Sequence, residues 1–200
     1  MTKNYQTPTA ETYNGLEQAF QHFNAELFDD RLPPVMFTIT RKRGAHGYFW
    51  AEQFKHREDG DTTHEIALNP DTMGRSLEEV LSTLVHEMTH LEQQEYGEPS
   101  KKGYHNEAWA QLMDRVGLEP QPRTGRKVSH AILPDGAFAA SCASLQAKGF
   151  DLPWFTQPRM EAEKKKDPSK VKVTCPHCGI NAWAKQGINL MCGDCEERME

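Results

Sequence analysis

The sequence predicts an α+β fold in two parts: helices around a small, mostly antiparallel sheet, then a small module held by four cysteines. Three observations carry this. Helical and strand-like periodicities alternate between residues 13 and 118. The run QPRMEAEKKKDPSK at 157–170 has almost nothing to bury and reads as a charged linker. Beyond it, the last 30 residues carry two C-x-x-C pairs. The predicted boundaries are a main domain over 1–118, an extension with a short helix over 119–156, the linker over 157–170 and the cysteine module over 171–200.

Taken in order, residues 13–30 place Leu16, Ala19, Phe20, Phe23, Leu27 and Phe28 at helical spacing, and Pro33-Pro34 stops the pattern. This is a core-facing helix. The segments VMFTITR (35–41), GYFWA (47–51) and HEIALN (64–69) are β-branched or alternating. Gly44, Gly47 and the stretch REDGDTT supply turns, so about three strands are expected. Ser76 and Glu79 form an S-x-x-E capping box opening a helix over 76–96, and Gly97 ends it. Another helix is expected over 105–117 with Trp109, Leu112, Met113 and Val116 on one side. A short one over 136–148 is opened by Asp135 and buries Phe138, Cys142 and Leu145. Cys142 is therefore a small buried hydrophobe, not a reactive thiol.

With 29 acidic and 23 basic side chains the net charge is −6, which argues against a protein that coats nucleic acid by charge alone. Residues 1–118 hold 11 basic and 19 acidic groups, net −8, whereas 119–169 are net +2 and 170–200 are neutral. Any nucleic-acid surface is expected to be local and in the C-terminal half. No apolar run approaches ~18 residues and the N-terminus lacks a signal-like apolar stretch, so a soluble, cytoplasmic chain without a membrane partner is expected.

The sharpest signal is His86-Glu87-Met88-Thr89-His90, an H-E-x-x-H. Positions four apart share a helix face, so His86 and His90 can aim at one ion with Glu87 beside them. At ~100° per residue the apolar stripe centres near Leu77 and Met88, and both histidines fall roughly 180–220° away. They face a cleft, as a zinc hydrolase requires. A catalytic zinc needs a third ligand and an open position for water. The metzincin pattern would place a histidine at Tyr96 and is excluded. His105, after a glycine-containing loop, is the leading third ligand, with Glu98 and Glu107 as rivals. His22, His46, His56, His64 and His130 lack a partner at ligand spacing and are read as surface or loop residues.

The ordered set Phe23, Asn24, Phe28; Gly47-Tyr48-Phe49; Ile66-Ala67-Leu68-Asn69; Leu84-Val85-His86-Glu87-Met88-Thr89-His90; and His105, Trp109, Met113 resembles the SprT-like family of zinc metalloproteases, over roughly residues 13–118. The resemblance implies a zincin-like fold, zinc on His86, His90 and His105, and Glu87 as the catalytic base. It also implies protein substrates attached to or sitting on DNA, with DNA as activator. One departure is Asn106, where the family usually has glycine. Asparagine tolerates capping and left-handed conformations, so the loop is expected to survive.

Cys175, Cys178, Cys192 and Cys195 have the spacing of a four-cysteine zinc ribbon, in which zinc supplies most of the folding energy. Four protein ligands leave no open position, so this second ion is structural. Lys170, Lys172, Lys185 and Trp183 could form a small stacking and phosphate surface for DNA, although Trp183 could equally pack over the ribbon. The sequence thus predicts a zinc endopeptidase with two zinc ions and protein substrates. The alternative is a non-catalytic nucleic-acid-binding or adaptor protein on a protease-like scaffold. A weaker one is hydrolysis of a non-peptide bond. Tyr96 and Tyr104 are candidate oxyanion donors.

Overall fold

The computed structural model describes residues 7–101, 103–157 and 170–200, and the predicted linker lies outside them except for its two ends. The chain divides into two compact units, Met1–Pro158 and Arg159–Glu200.

The first unit is mixed α+β. Helix α1 (Pro8–Leu27) starts where the Thr7 hydroxyl accepts the Ala10 N–H, and it buries the whole predicted stripe from Leu16 to Leu27. Phe23 and Phe28 are fully buried; burying each such side chain is worth about 1.5–3 kcal/mol. The Asn24 amide donates to the Leu32 carbonyl and its oxygen accepts the Leu32 N–H (3.1 and 3.0 Å), fixing the turn after α1.

Strands β1 (Met36–Ile39), β2 (Gly47–Lys55) and β3 (Thr62–Leu68) form one sheet in the order β1-β3-β2. β2 and β3 are antiparallel, but β1 runs parallel to β3, with Phe37 beside Ile66. The expected mostly antiparallel sheet is therefore half parallel. The chain leaving β1 passes β3's position before forming the β2–β3 hairpin, so β3 returns alongside β1 in the same direction. Central β3 is buried from His64 to Leu68. Gly47 is not a turn residue but the first residue of β2. A Cβ there would lie 2.8 Å from the Ala67 carbonyl oxygen and 3.1 Å from Glu87 Oε1. The Asn69 side chain donates to the Lys42 and Ala45 carbonyls (2.9 and 2.8 Å), holding the loop that delivers Gly47.

Helix α2 (Leu77–Tyr96) opens with both halves of the Ser76/Glu79 capping box in place. It is buried on nearly every side. Near its C-terminal end the Glu92 carboxylate, 1% exposed, is gripped by Arg31 from the turn after α1 and by Arg115. Arg115 lies on helix α3 (Glu107–Val116) and also donates to the Leu27 carbonyl (3.0 Å). α3 ends at Gly117, whose φ of 84° suits glycine. A hairpin not foreseen from the sequence follows, β4 (Leu118–Gln121) paired antiparallel with β5 (Ser129–Ile132). Helix α4 (Ala137–Ala147) packs against α1. Its N-cap is Gly136 without a side-chain bond, so Asp135 does not cap it. Cys142 is buried, and burial pushes its thiol up to about 11.

In the second unit, β6 (Val171–Thr174) and β7 (Asn181–Ala184) form an antiparallel pair with Lys172 opposite Trp183. Among its described residues, Cys175, Cys192 and Met199 are buried. That is far too little apolar burial to hold ~30 residues.

Candidate metal centre

His86 and His90 project from α2, and His105 arrives from the loop before α3. One nitrogen from each lies within 4.8 Å of the other two. His105 is held by Gly125 through both its backbone and its ring. Its backbone N–H donates to the Gly125 carbonyl (2.7 Å) and the Gly125 N–H returns to the His105 carbonyl (3.0 Å). Its Nδ1–H donates to that same Gly125 carbonyl (3.0 Å), which leaves Nε2 with its lone pair. Asn106 caps α3: its Oδ1 accepts the Trp109 N–H (2.9 Å) and a bond from Gln93 Nε2 on α2 (2.8 Å). With φ −92° it needs no left-handed backbone, so the departure from glycine is accommodated as a cap. Trp109, fully buried, lies against all three imidazoles at ring-centroid distances of 4.8, 5.0 and 4.3 Å.

All three histidines are held neutral, as metal ligands must be. Burial, then His90 and the other neighbouring rings, keeps His86 well below the ordinary imidazole range. Burial and then His105 bring His90 down to about 3. His105 is lowered by burial against the opposing effect of the Gly125 bond. The rival ligands go elsewhere. Glu98 is exposed, and Glu107 is exposed and bridged by Arg123 at 2.6 Å. Tyr96 spends its hydroxyl on the Arg31 carbonyl and Tyr104 is 41% exposed.

Glu87 is 5% exposed. Burial raises its carboxyl to about 8, opposed by the Lys42 ammonium and the Phe49 backbone N–H. A carboxyl poised near neutrality beside three convergent imidazoles is suited to exchanging protons.

His46 and His56 sit at the surface as expected, His56 pairing with Asp59. The other three histidines do not. His22 bonds the Ser141 carbonyl (2.9 Å) and joins α1 to α4. His64, 9% exposed, meets Glu95 at 3.0 Å and lies behind the Phe49 ring. His130 reaches His86, Nδ1 to Nδ1 at 3.2 Å. No short-range spacing could reveal that contact, because 44 residues and a hairpin separate the two.

In the second unit the sulfurs of Cys175, Cys178, Cys192 and Cys195 also lie within 4.8 Å of one another. Two turns present them: Gly179 N–H donates to the Cys175 carbonyl (2.9 Å), and Glu196 N–H to that of Cys192 (2.8 Å). Backbone N–H groups of Cys178 and His177 draw the Cys175 thiol down to about 7. Cys178, burial and the other sulfurs push Cys195 up to about 12. Four adjacent thiolates cannot ionise together without a cation. Both donor sets fit zinc, three imidazoles in one and four sulfurs in the other. Trp183 does not pack over the ribbon; it is 64% exposed.

Among the described residues no helix is long and apolar enough to cross a membrane. No solved structure matches the chain. A Salmonella typhimurium protein described as "Uncharacterized protein in mucB 3'region" is 42% identical over 59 residues, which is 30% of this chain and 80% of that protein. The model of the SprT-like family matches residues 16–130, a span that contains the sheet, both helices bearing the site and its three histidines, and the chain belongs to that family.

Proposed function

We propose that the first unit is a zincin-like, zinc-dependent endopeptidase with His86, His90 and His105 as metal ligands and Glu87 as general base. The observation that carries this is the convergence of three neutral imidazoles, two of them on the helix that also bears a buried carboxyl. Zinc bound by the three imidazoles supplies Lewis acidity, polarising a carbonyl and making water a competent nucleophile near neutral pH.

The protein's own groups account for the rest. Glu87 takes the proton of the attacking water and passes it to the leaving amine nitrogen. Its carboxyl is aimed by the Phe49 N–H and by the bare α-carbon of Gly47. β2 is an edge strand, so an extended substrate can add to it beside the cleft, which favours a peptide over a small ester or amide. Trp109 and the enclosing helices keep the ligands' rings in fixed orientation.

The four cysteines hold a structural zinc. Exposed Trp183 with Lys172 opposite it, and Lys170 and Lys185 nearby in sequence, favour a stacking and phosphate surface for single-stranded DNA. Proteins associated with or attached to DNA are then the substrate class. The alternative of a non-catalytic adaptor is disfavoured because a scaffold has no use for a buried, perturbed Glu87.

The test is incubation of zinc-loaded full-length protein with an unstructured protein substrate, with and without single-stranded DNA, alongside Glu87→Gln. Cleavage should fall about 100- to 10,000-fold in the variant. Equal cleavage by both would overturn the assignment, and an effect of DNA that survives removal of Trp183 would overturn the ribbon's role.

A further inference from the structure

His130 is the one histidine that touches the ligand cluster without belonging to it. It lies on β5, outside the H-E-x-x-H helix and outside the loop that carries His105. Its Nδ1 stands 3.2 Å from His86 Nδ1, and the two rings are 5.3 Å apart, tilted by 39°. Its other nitrogen, Nε2, is 2.9 Å from Ser82 Oγ. Ser82 is buried on α2, one turn before His86, and its hydroxyl donates to the Glu79 carbonyl at 2.9 Å.

The direction of each bond in this chain follows from its last member. A carbonyl can only accept, so the single hydroxyl hydrogen of Ser82 is committed to Glu79. Ser82 Oγ must then accept from His130, which places the His130 proton on Nε2. His130 Nδ1 is left as a lone pair, so the bond to His86 is donated by His86 Nδ1–H. That leaves His86 Nε2 unprotonated. The reverse polarity would put hydrogen on His86 Nε2 and block it as a ligand. His105 reaches the same tautomer more simply, through its Nδ1–H bond to the Gly125 carbonyl. Both bonds come from one hairpin, Gly125 in its loop and His130 on its second strand.

We infer that His130 is a positioning residue for the metal: with Ser82 it fixes the tautomer and ring orientation of His86, so that Nε2 is presented to the ion. The inference rests on the metal reading above. Outer-shell partners of metal-bound imidazoles characteristically act in this way, and their loss costs about 10- to 100-fold in metal affinity.

The experiment uses the full chain and four proteins: wild type, His130→Phe, His130→Asn and Ser82→Ala. In metal-free samples, nitrogen NMR of the histidine rings reports which nitrogen of His86 carries hydrogen. Wild type should hold His86 as the Nδ1–H tautomer; Ser82→Ala, which releases the direction of the chain, should hold a mixture. Cobalt titration then reads the histidine site by its d–d bands separately from the thiolate charge-transfer band of the cysteine site, and zinc affinity follows by chelator competition. His130→Phe should weaken the histidine site about 10- to 100-fold and alter its d–d bands. His130→Asn, whose Oδ1 stands where Nδ1 stood, should restore most of the affinity. A wild-type His86 protonated on Nε2, or an unweakened His130→Phe, would overturn the inference; so would an asparagine variant as weak as phenylalanine, since packing would then explain the loss. If wild type takes up cobalt only at the thiolates, the metal reading falls, while the tautomer measurement still decides the bond chain.

Discussion

Glu87→Gln in the metal-free protein tests the burial of the carboxyl independently of catalysis. The folded state holds the Glu87 proton up to about pH 8, whereas the unfolded chain releases it near the ordinary value of 4.5. Between those limits the folded state binds more protons, so stability falls as pH rises. From pH 5 to pH 8 this amounts to about 3.5 kcal/mol. Glutamine carries no such proton and should not show the loss. The buried histidines slope the other way, because their lowered values make the unfolded chain the better proton binder below about 6.5. They are common to both proteins and cancel in the difference. Urea denaturation at pH 5, 6.5 and 8, followed by tryptophan fluorescence, gives the two curves. Wild type should lose about 3–4 kcal/mol relative to the variant across the range, and zinc should abolish much of that divergence by drawing the carboxyl's pKa down. Parallel curves in the metal-free proteins would refute the protonated, desolvated carboxyl.

Two further outcomes are expected. Gly47→Ala puts a methyl 2.8 Å from the Ala67 carbonyl oxygen and 3.1 Å from Glu87 Oε1, so it should cost about 1–3 kcal/mol in a urea melt and lower cleavage as well; unchanged stability would mean the strand shifts freely. Elemental analysis should find two zinc ions per chain, and Cys175→Ser should lose one while the histidine site keeps its own; loss of both, or of neither, would contradict separate sites.

The parts of the fold that could be read in advance are those whose signals are local. The α1 stripe, the Ser76/Glu79 box and the four-residue spacing of His86 and His90 each fit within a few helical turns, where geometry is set by the backbone. What was missed depends on distant partners. β4 and β5 are four residues each, and Pro120 in one of them argues against a strand. Hence the sequence reads the hairpin as extension and His130 as a surface or loop residue. The parallel β1–β3 ladder was hidden for the same reason, since nothing in a strand's own residues specifies which neighbour it meets. Asn106 lies between these cases: its capping chemistry was legible, its tether to Gln93 was not.

The grip of two arginines on Glu92 bears on how much angular play the site can tolerate. Side chains extend about 5–6 Å from a helix axis, and metal–ligand distances hold to about 0.2 Å, so a roll of α2 by only about 2° would consume the whole tolerance at His86 and His90. Two residues beyond His90, Glu92 is keyed on one side to the turn after α1 and on the other to α3. The pair of arginines works as a rotational detent, and it sets the bearing of ligands that neither arginine touches.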